Sequence, residues 1–478
     1  MDIFGVRRQP FMARRNYLIE LRHLFFWGIL AGLVEGTVSA VIVSKTFGAS
    51  NFLITVVQAT PAFANVVSLV WGALLIGRRK LVVMQAFGAA CVAATLSVGL
   101  TPNTVLGGWL FAAQMALARA FMSGVVITRA SIWKSNYPRT HRGRLTATLQ
   151  IVRTLCALPL ALGCGLLFDL DPLAYRWFYP AVAAAGVLGL VLSMQLRVRG
   201  ERRAWRRRRA PDVVADADPG FGPPPPLELL ELLVPWRLLT RMRGALRDDP
   251  RFARYITAQM CIGMANLMVM PVNTIVLTKV LNLNYTLSTA QTDVIPRLAV
   301  LLSLPAWARL YDRVGVLGFR VFNSACWSGS MILCGLGALM AHTAPAPAGW
   351  AALASLTVWV YAVGRIVDGL AQAGGAIAWN IGHLHFAEDE KAELYMGIHV
   401  SLTGVRGLTA PFLGVALYHW IDWGVFGVAL ALAATGMVLF GRLAREERSA
   451  GPVSPAKMVE QRVRSGDGVG QAPDLVGR

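Results

Sequence analysis

Residues 24–45 read LFFWGILAGLVEGTVSAVIVSK, an apolar run that is long enough to cross a lipid bilayer as a helix. A helix needs about 20 predominantly apolar residues to span the hydrocarbon core. Further runs of this kind lie at 53–77, 81–101, 106–130, 145–168, 177–197, 253–280, 288–310, 318–341, 350–378, 395–418 and 423–442. None of them alternates apolar with polar residues as a membrane β-strand does. The sequence therefore predicts an all-α polytopic membrane protein of about twelve transmembrane helices.

The composition agrees with a lipid environment. The 478-residue chain is 55% hydrophobic and 15% charged, whereas soluble globular chains carry about 25% charged residues. The first run is longer than the apolar core of a signal peptide, so we expect it to be retained as a helix. The six cysteines lie inside apolar runs without a CxxC pair, which predicts buried hydrophobic side chains and no metal site.

Basic residues occupy alternate connections between the predicted helices. They are Arg7, Arg8, Arg14, Arg15 and Arg22 before the first run, then Arg78, Arg79, Lys80, Lys134, Arg139, Arg142, Arg144, Arg202, Arg203, Arg206 to Arg209, Arg309, Arg313 and Arg320, and finally Arg442, Arg445 and Arg448. The other connections hold only Lys45, Arg176 and Lys279, each close to a helix end. Because Lys and Arg accumulate in cytoplasmic loops, both termini are predicted to be cytoplasmic. The net charge of +20 thus indicates membrane topology and no nucleic-acid partner.

The first six runs and the last six resemble each other. Arg119 precedes Trp133 by fourteen residues, and Arg365 precedes Trp379 by the same interval. Further matches at equivalent positions are Pro61 and Trp71 with Pro296 and Trp307, and Arg153 and Pro159 with Arg406 and Pro411. Parallel repeats of this kind are common in transporters. The sequence therefore predicts two pseudo-symmetric six-helix bundles.

The loop after the eighth run carries a known motif. Residues 308–315, ARLYDRVG, resemble the G-x-L-x-D-R-x-G loop motif of the major facilitator superfamily, with Ala in place of the first Gly. The first-half copy keeps the glycine and a basic cluster but lacks the Asp-Arg pair. The resemblance implies a gating loop with the candidate residues Gly72, Arg78, Arg79, Asp312 and Arg313.

The resemblance also extends to the fourth helix of each half. Arg119 and Arg365 resemble the arginine of the family's helix-4 motif, and the whole resemblance covers roughly residues 24–442. It implies that two halves rock about a central cavity, and that the first and fourth helices of each half line this cavity.

The domain organisation follows from the apolar runs and the polar segments between them. The predicted segments are a cytoplasmic tail at 1–23, a bundle at 24–197, a basic and Pro-rich linker at 198–252, a bundle at 253–442 and a cytoplasmic disordered tail at 443–478. Within the linker, 227–247 is predicted to be an amphipathic helix on the membrane surface. Residues 201–247 are candidates for contact with anionic lipid headgroups, and the alternative is a tether that orients the seventh helix.

Eight charged residues lie near the middle of predicted helices. They are Glu35, Arg119, Arg153, Asp293, Arg297, Arg365, Asp368 and Arg406. A charge at the bilayer centre costs roughly 2.5–3.5 kcal/mol on insertion scales, so it is rare without a role. These residues are therefore the candidate substrate and coupling residues, together with Asn266 on the seventh run.

Two of the charge pairs are local. Asp293 and Arg297 are four residues apart, and Arg365 and Asp368 are three apart, so each pair lies on one helical face. Each pair either fixes helix packing or takes part in transport. Glu35 has no local partner, and Arg119 is its favoured partner across the cavity.

Two roles stay open for Glu35. As a desolvated carboxylate it is a candidate proton carrier, whereas as the partner of an arginine it forms a salt bridge that the substrate breaks.

The candidate charges sum to an excess of two positive charges, which favours an anionic or zwitterionic small solute. Arg153 and Arg406 are the candidate ligands because guanidinium binds carboxylate and phosphate in a bidentate manner. The alternative is that each arginine bonds to backbone carbonyls freed by Pro159 and Pro411.

The favoured function is secondary active transport of a small solute by alternating access, with proton coupling left open. The sequence contains no P-loop and no zincin motif, so we expect neither ATP hydrolysis nor a cofactor. A second hypothesis is a non-transporting receptor or assembly factor on a transporter fold. A membrane enzyme would need a polar catalytic cluster, for which His383, His385 and the acidic loop 388–393 are the one weak candidate.

Overall fold

The described part of the chain is helical. The computed structural model describes residues 11–75, 78–137, 139–199, 242–244, 246–343, 349–386 and 392–449. These residues contain no β-strand, which confirms the predicted all-α class. We refer to the described residues up to 199 as the first half and to those from 242 onward as the second half.

The helices are numbered in chain order. The first half contains α1 (Phe11–Glu35), α2 (Val38–Lys45), α3 (Asn51–Leu75), α4 (Lys80–Ser97), α5 (Val105–Asn136), α6 (Arg139–Leu170) and α7 (Tyr175–Ser193). The second half contains α8 (Pro250–Ile275), α9 (Tyr285–Thr289), α10 (Ile295–Thr343), α11 (Leu356–Ile381), α12 (Ala392–Ile421) and α13 (Val425–Ser449). Two π-helical turns, Val276–Val280 and Ala290–Val294, follow α8 and α9.

The protein is a multi-pass membrane protein. Nine segments of the described residues are long and apolar enough to cross a membrane. Two of these segments, Tyr285–Thr343 and Ile398–Ser449, are 59 and 52 residues long, and each contains parts of two helices. The predicted count of twelve is therefore not confirmed by this criterion.

The first helix differs from its predicted bounds. Helix α1 begins at Phe11 and ends at Glu35, whereas the sequence predicts a tail over 1–23 and one helix over 24–45. The earlier start has a physical reason in the buried residues Ala13, Tyr17, Glu20 and Leu24. Their spacing of three or four residues places them on one helical face, so the packed face begins before the apolar run does.

Helix α10 contains a break that only glycine adopts readily. Gly315 has φ +67° and ψ 178°, which separates a helical segment over 295–314 from one over 316–343. This glycine is the last residue of the loop motif, so the motif provides the turn between the two segments.

Small residues bring helices close together. A Cβ atom on Gly32 of α1 would lie 2.9 Å from Cα of Ala157 on α6, within the first half. A Cβ atom on Gly407 of α12 would lie 2.5 Å from Cβ of Ala62 on α3, which joins the two halves. Such contacts are typical of helix packing in membranes, where small residues let backbones approach.

Several predicted features lie outside the described residues. They are the linker over 201–240 with most of the amphipathic helix, the acidic residues at 388–390 and the tail from 450.

Candidate functional site

Arg119 on α5 is held by backbone carbonyls and hydroxyl groups. Its Nε lies 2.7 Å from the oxygen of Val34, and one Nη2 atom lies 2.9 Å from the oxygen of Gly36 and 2.8 Å from Oγ of Ser39. Its Nη1 lies 2.6 Å from the oxygen of Val57. The accepting carbonyls of residues 34 and 36 are available because the helix breaks between α1 and α2.

Arg365 on α11 is held in a related way in the second half. Its Nε donates to the oxygen of Gln291 at 2.9 Å, and its Nη2 lies 3.5 Å from the oxygen of Thr292. Its Nη1 lies 2.8 Å from Oδ2 of Asp368, so the pair predicted from spacing is formed. Asp368 also accepts a hydrogen bond from Gln372 at 2.9 Å.

The two arginines share one relationship to proline. Val57 lies four residues before Pro61, and Thr292 lies four residues before Pro296. Proline has no N–H, so the carbonyl four residues earlier loses its helical donor. In each half the helix-4 arginine donates to this carbonyl, which supports the predicted internal repeat at the level of contacts.

The arginines that bond to proline-freed carbonyls are not the two for which the sequence offered this role. From the sequence, bonds to proline-freed carbonyls are the alternative role of Arg153 and Arg406, whereas the structure has such bonds at Arg119 and Arg365. The spacing could not reveal this, because the proline and the arginine belong to different helices.

Glu35 pairs with Arg153, and the prediction of a pair with Arg119 is wrong. Arg153 Nη2 on α6 forms an ion pair with Oε2 of Glu35, the last residue of α1. Arg119 already satisfies its donors with carbonyl and hydroxyl oxygens, so it contributes no donor to Glu35 among the described contacts.

Asp293 and Arg297 form the second predicted local pair. Arg297 Nη2 lies 3.0 Å from Oδ1 of Asp293. The same carboxylate oxygen lies 3.1 Å from Oγ1 and 3.3 Å from the backbone nitrogen of Thr37, in the break of the first half. Thr37 Oγ1 lies 3.1 Å from the oxygen of Thr292 as well, so the two acceptors share its one O–H group. The second-half pair is therefore bonded directly to the first half.

The two pairs are neighbours. A Cβ atom on Gly36, the residue after Glu35, would lie 3.3 Å from Nη2 of Arg297 and 3.7 Å from Oδ1 of Asp293. We call Glu35, Arg153, Asp293 and Arg297 the central charge cluster. It contains two carboxylates and two guanidinium groups, with one of each from either half of the chain.

Most side chains of the central charge cluster are more exposed than the helix-4 arginines, Arg119 and Arg365. The side chains of Glu35, Arg153 and Arg297 keep 31%, 22% and 28% of their surface exposed. Arg119 and Arg365 keep only 5% and 7%. Asp293, with 3% of its side chain exposed, is as buried as those arginines. The accessible part of the cluster is therefore Glu35, Arg153 and Arg297.

Arg406 belongs to a different group of residues. Its Nη1 donates to the oxygen of Gln259 on α8 at 3.0 Å, and its guanidinium occupies the space beside Gly263. Arg320 donates to the side-chain oxygen of the same Gln259. The expected approach of Arg153 and Arg406 to one ligand is therefore not observed.

The remaining candidates lie away from the cluster. Asn266 is half-buried on α8 and has no hydrogen bond among the described contacts. Arg78, Arg79, Asp312 and Arg313 are exposed, and no ion pair joins them within the described residues. Gly72 on α3 has open space on the side where a Cβ atom would lie.

A buried polar group at the start of α1 was not among the residues predicted from the sequence. Both carboxylate oxygens of Glu20 lie 2.8 Å from Nε1 of Trp133, whose ring lies 5.3 Å from the guanidinium carbon of Arg129. His23 Nδ1 lies 2.8 Å from the oxygen of Gly189. The helical spacing of the apolar residues around Glu20 was the available signal, but the predicted tail concealed it.

A protein-family model and several solved structures match this chain. Residues 24–357 match the family model of the Major Facilitator Superfamily. A solved structure of a variant of the nucleoside transporter NupG has a TM-score of 0.63 at 13% identity, covering 90% of this chain and 100% of that chain. A POT family transporter in complex with a thioalcohol-conjugated peptide has a TM-score of 0.61 at 12% identity, with 94% and 100% covered.

A third similar structure is that of a D-xylose–proton symporter, with a TM-score of 0.61 at 12% identity, covering 89% of this chain and 96% of that chain. No curated protein sequence matches the chain. At these identities the structural similarities show a shared fold, and the family model covers well over half of the sequence. The chain belongs to the Major Facilitator Superfamily.

Proposed function

We propose that the protein is a secondary active transporter that moves a small anionic or zwitterionic solute by alternating access. The observation that carries this proposal is the central charge cluster, in which Glu35 and Arg153 of the first half meet Asp293 and Arg297 of the second half. A ligand bound there touches both halves, so its binding can change their relative position.

The family supports transport over the other hypotheses. Proteins of similar fold include transporters named for nucleosides, peptides and D-xylose with protons. Members of the superfamily are transporters and not enzymes. The energy source we propose is a solute or ion gradient, since the sequence contains no P-loop.

The chemistry of the cluster favours a charged solute. A substrate carboxylate or phosphate can replace Glu35 at Arg153 and keep the bidentate contact that guanidinium favours. A substrate ammonium group can pair with the released Glu35 or with Asp293. Because the cluster is neutral overall, a zwitterion can exchange partners with it without leaving a net charge in the membrane interior.

Proton coupling follows from the same exchange. When a substrate anion takes over Arg153 and brings no ammonium group to Glu35, the Glu35 carboxylate loses its counterion inside the membrane protein. The carboxylate then binds one proton, which neutralises it and travels with the substrate. Proton coupling is therefore the form of secondary transport that we propose.

The orientation of the site follows from the arginine pattern. The described hydrogen bonds between the halves lie at residues 37–58 and 169 of the first half and at 274–293 of the second. The basic connections would place this end outside the cell and both termini inside. In this orientation the structure is closed to the outside.

The proposal is tested with the purified protein in detergent and in liposomes. A library of carboxylates, phosphates, amino acids, cations and neutral sugars is screened by thermal shift at pH 5.5 and 7.5. Solutes that stabilise the protein are then tested for uptake into liposomes with and without a proton gradient. Stabilisation by anions or zwitterions, with uptake driven by the gradient, is the expected result.

A matched variant makes the test specific. Glu35→Gln removes the proton site but keeps the shape of the side chain, so it should still bind solute and lose the dependence on pH. If only cations or neutral solutes bind, the substrate class is wrong. If no solute binds and none is transported, the receptor or assembly hypothesis replaces transport, and deletion of residues 198–226 should then abolish the biological role.

A further inference from the structure

Two lysines lie in connections that the topology rule predicts to be poor in lysine and arginine. Lys45 is the last residue of α2, and Lys279 lies in the π-helical turn after α8. They occupy equivalent places, because each ends the first membrane helix of its half. A lysine in a connection on the outer side works against the orientation rule, so each needs a reason of its own.

Each lysine reaches into the other half. Lys279 Nζ lies 2.6 Å from the oxygen of Ala49 and 2.9 Å from Oδ1 of Asn51, where α3 begins. Lys45 Nζ lies 3.4 Å from Oδ1 of Asn282 and 5.6 Å from the ring centroid of Tyr285, where α9 begins. The first helix of each half is thus tied to the start of the second helix of the other half.

Asp169 at the end of α6 adds a stronger tie on one side. Its Oδ1 lies 2.6 Å from the backbone nitrogen of Tyr285. Its Oδ2 lies 3.1 Å from the backbone nitrogen and 2.5 Å from Oγ1 of Thr286. A carboxylate that accepts backbone N–H groups at a helix start makes a charge-assisted cap. Here the cap comes from the opposite half.

Close packing surrounds these ties. A Cβ atom on Gly165 would lie 2.7 Å from Cα of Thr286, so α6 and α9 touch through their backbones. Ser44 Oγ lies 2.7 Å from Oγ1 of Thr278, one residue inward from the two lysines. These contacts leave little space for a solute between the halves at this end.

We propose that Asp169, Lys45 and Lys279 form a latch that holds the cavity shut at this end and opens in each transport cycle. They act as positioning residues, because their bonds join the two halves of the chain. The proposal rests on the alternating access of the proposed function. Each lysine bonds to a neutral oxygen, and water can replace that bond when the halves separate. The bonds of the latch can therefore break and form again as the halves separate and close.

The latch is asymmetric. Asp422 is the second-half counterpart of Asp169, because Asp169 and Asp422 are separated by the same number of residues as Arg153 and Arg406. Asp169 lies one residue before the end of α6, and Asp422 directly follows α12. Asp422 is exposed, and no hydrogen bond or ion pair joins it to the first half within the described residues. Each of the two helix starts, of α3 and of α9, has a cap of its own: Ser50 Oγ accepts from the nitrogen of Leu53 at 3.2 Å, and Asn284 Oδ1 accepts from the nitrogen of Leu287 at 2.8 Å. At α9, Asp169 adds a second cap from the opposite half. We therefore expect Asp169 to contribute most to closure.

Thiol labelling from the outer side measures opening directly. The background is the full chain with Ser44→Cys in right-side-out membrane vesicles, treated with a membrane-impermeant maleimide. Adding Asp169→Asn should raise the labelling rate by at least about tenfold, the effect of losing the bonds of one charged group. Adding Lys279→Met should raise it by a smaller factor. Inside-out vesicles show from which side the reagent enters.

Two controls change charge in the same regions without touching the latch. Asp171→Asn removes an acid two residues away, whose Oδ1 accepts only from Leu173 in its own turn among the described contacts. Asp422→Asn removes the pseudo-equivalent acid of the second half. Both should leave the labelling rate within about twofold of the background.

A cross-link gives an independent measurement. The double variant Ser44→Cys with Thr278→Cys should form a disulfide on mild oxidation, because the two hydroxyl oxygens are neighbours. Oxidation should stop labelling from outside in every latch variant, and reduction should restore it.

Labelling that is equal in Asp169→Asn and Asp171→Asn would overturn the latch. The readout needs no substrate, so it fails separately from the proposed function. If the protein transports solute but Asp169→Asn leaves the labelling rate unchanged, the latch alone is rejected. If Asp169→Asn raises the labelling rate but the protein transports no solute, the proposed transport is rejected and the latch is not.

Discussion

The Oγ1 atom of Thr37 lies 3.1 Å from Oδ1 of Asp293 and joins the break in the first helix to the opposite half of the protein. The break between α1 and α2 and the π-helical turn Ala290–Val294 therefore meet at one point. Both irregularities expose polar backbone groups that a regular helix would keep for itself. Irregular backbone at membrane depth is tolerated where it lines a site.

Removing this junction should impair transport more than folding. Thr37→Val keeps the shape of the side chain but loses the one hydroxyl donor that Asp293 Oδ1 and the oxygen of Thr292 share. A hydrogen bond to a charged group contributes about 1.5–3 kcal/mol, so the transport rate should fall by about 10- to 100-fold. Uptake into liposomes measures the rate. Thr409→Val is the matched control, because its Oγ1 bonds only to Val405 in its own helix among the described contacts. An equal loss in both variants would contradict the prediction.

Exchanging the two charges of the ion pair tests whether Glu35 pairs with Arg153. Each single change, Glu35→Arg or Arg153→Glu, leaves two like charges together and should abolish transport. The double variant restores opposite charges and should recover part of the thermal stability, as a double-mutant cycle measures. The same exchange between Glu35 and Arg119 should recover nothing. Recovery in that second cycle would show that the pairing described here is wrong.

Arg119 should matter for stability more than for substrate affinity. Its guanidinium is buried and donates to the carbonyl oxygens of Val34, Gly36 and Val57. Arg119→Met leaves these acceptors without a donor, at a cost of about 1–3 kcal/mol for each group left unpaired. The thermal midpoint in detergent should therefore fall clearly. A normal midpoint combined with lost substrate binding would instead place Arg119 among the ligands.

The architecture followed from the sequence because lipid imposes a strong rule. Long apolar runs must form helices in lipid, so the all-α class follows from them, whereas the orientation from the loop charges stays a prediction. The ion pairs within one helix, Asp293 with Arg297 and Arg365 with Asp368, were also predicted correctly, because helical spacing fixes which side chains meet.

Contacts between helices were harder to predict. The sequence favoured Glu35 with Arg119, but the structure joins Glu35 to Arg153. Helix order alone does not say which face of α5 or α6 turns toward α1. The break at Gly36 and the π-helical turns have no strong local signal either, since they depend on partners such as Arg119 that satisfy the freed carbonyls.

Glu20 shows how the predicted start of a helix can conceal a buried polar contact. Its carboxylate accepts from the indole N–H of Trp133, and it lies in the part of α1 before residue 24, which the sequence predicts to be a cytoplasmic tail. Glu20→Leu should lower the free energy of unfolding by about 1–3 kcal/mol, since it leaves that N–H buried without an acceptor. Adding Trp133→Phe removes the unpaired donor, so the double variant should be less destabilised than the sum of the singles. Additive effects in denaturation would contradict the contact.

The most direct test of the central charge cluster is the dissociation constant of a stabilising solute, measured by titration calorimetry on four proteins. Wild type is compared with Arg153→Met, Arg297→Met and Arg406→Met. Arg406 is the matched control, because it lies beside Gln259 and not in the cluster. We expect the first two variants to weaken binding by about 10- to 100-fold, as loss of a charge-assisted contact does, and the third to bind like wild type. Unchanged binding in Arg153→Met together with lost binding in Arg406→Met would contradict the cluster as the solute site.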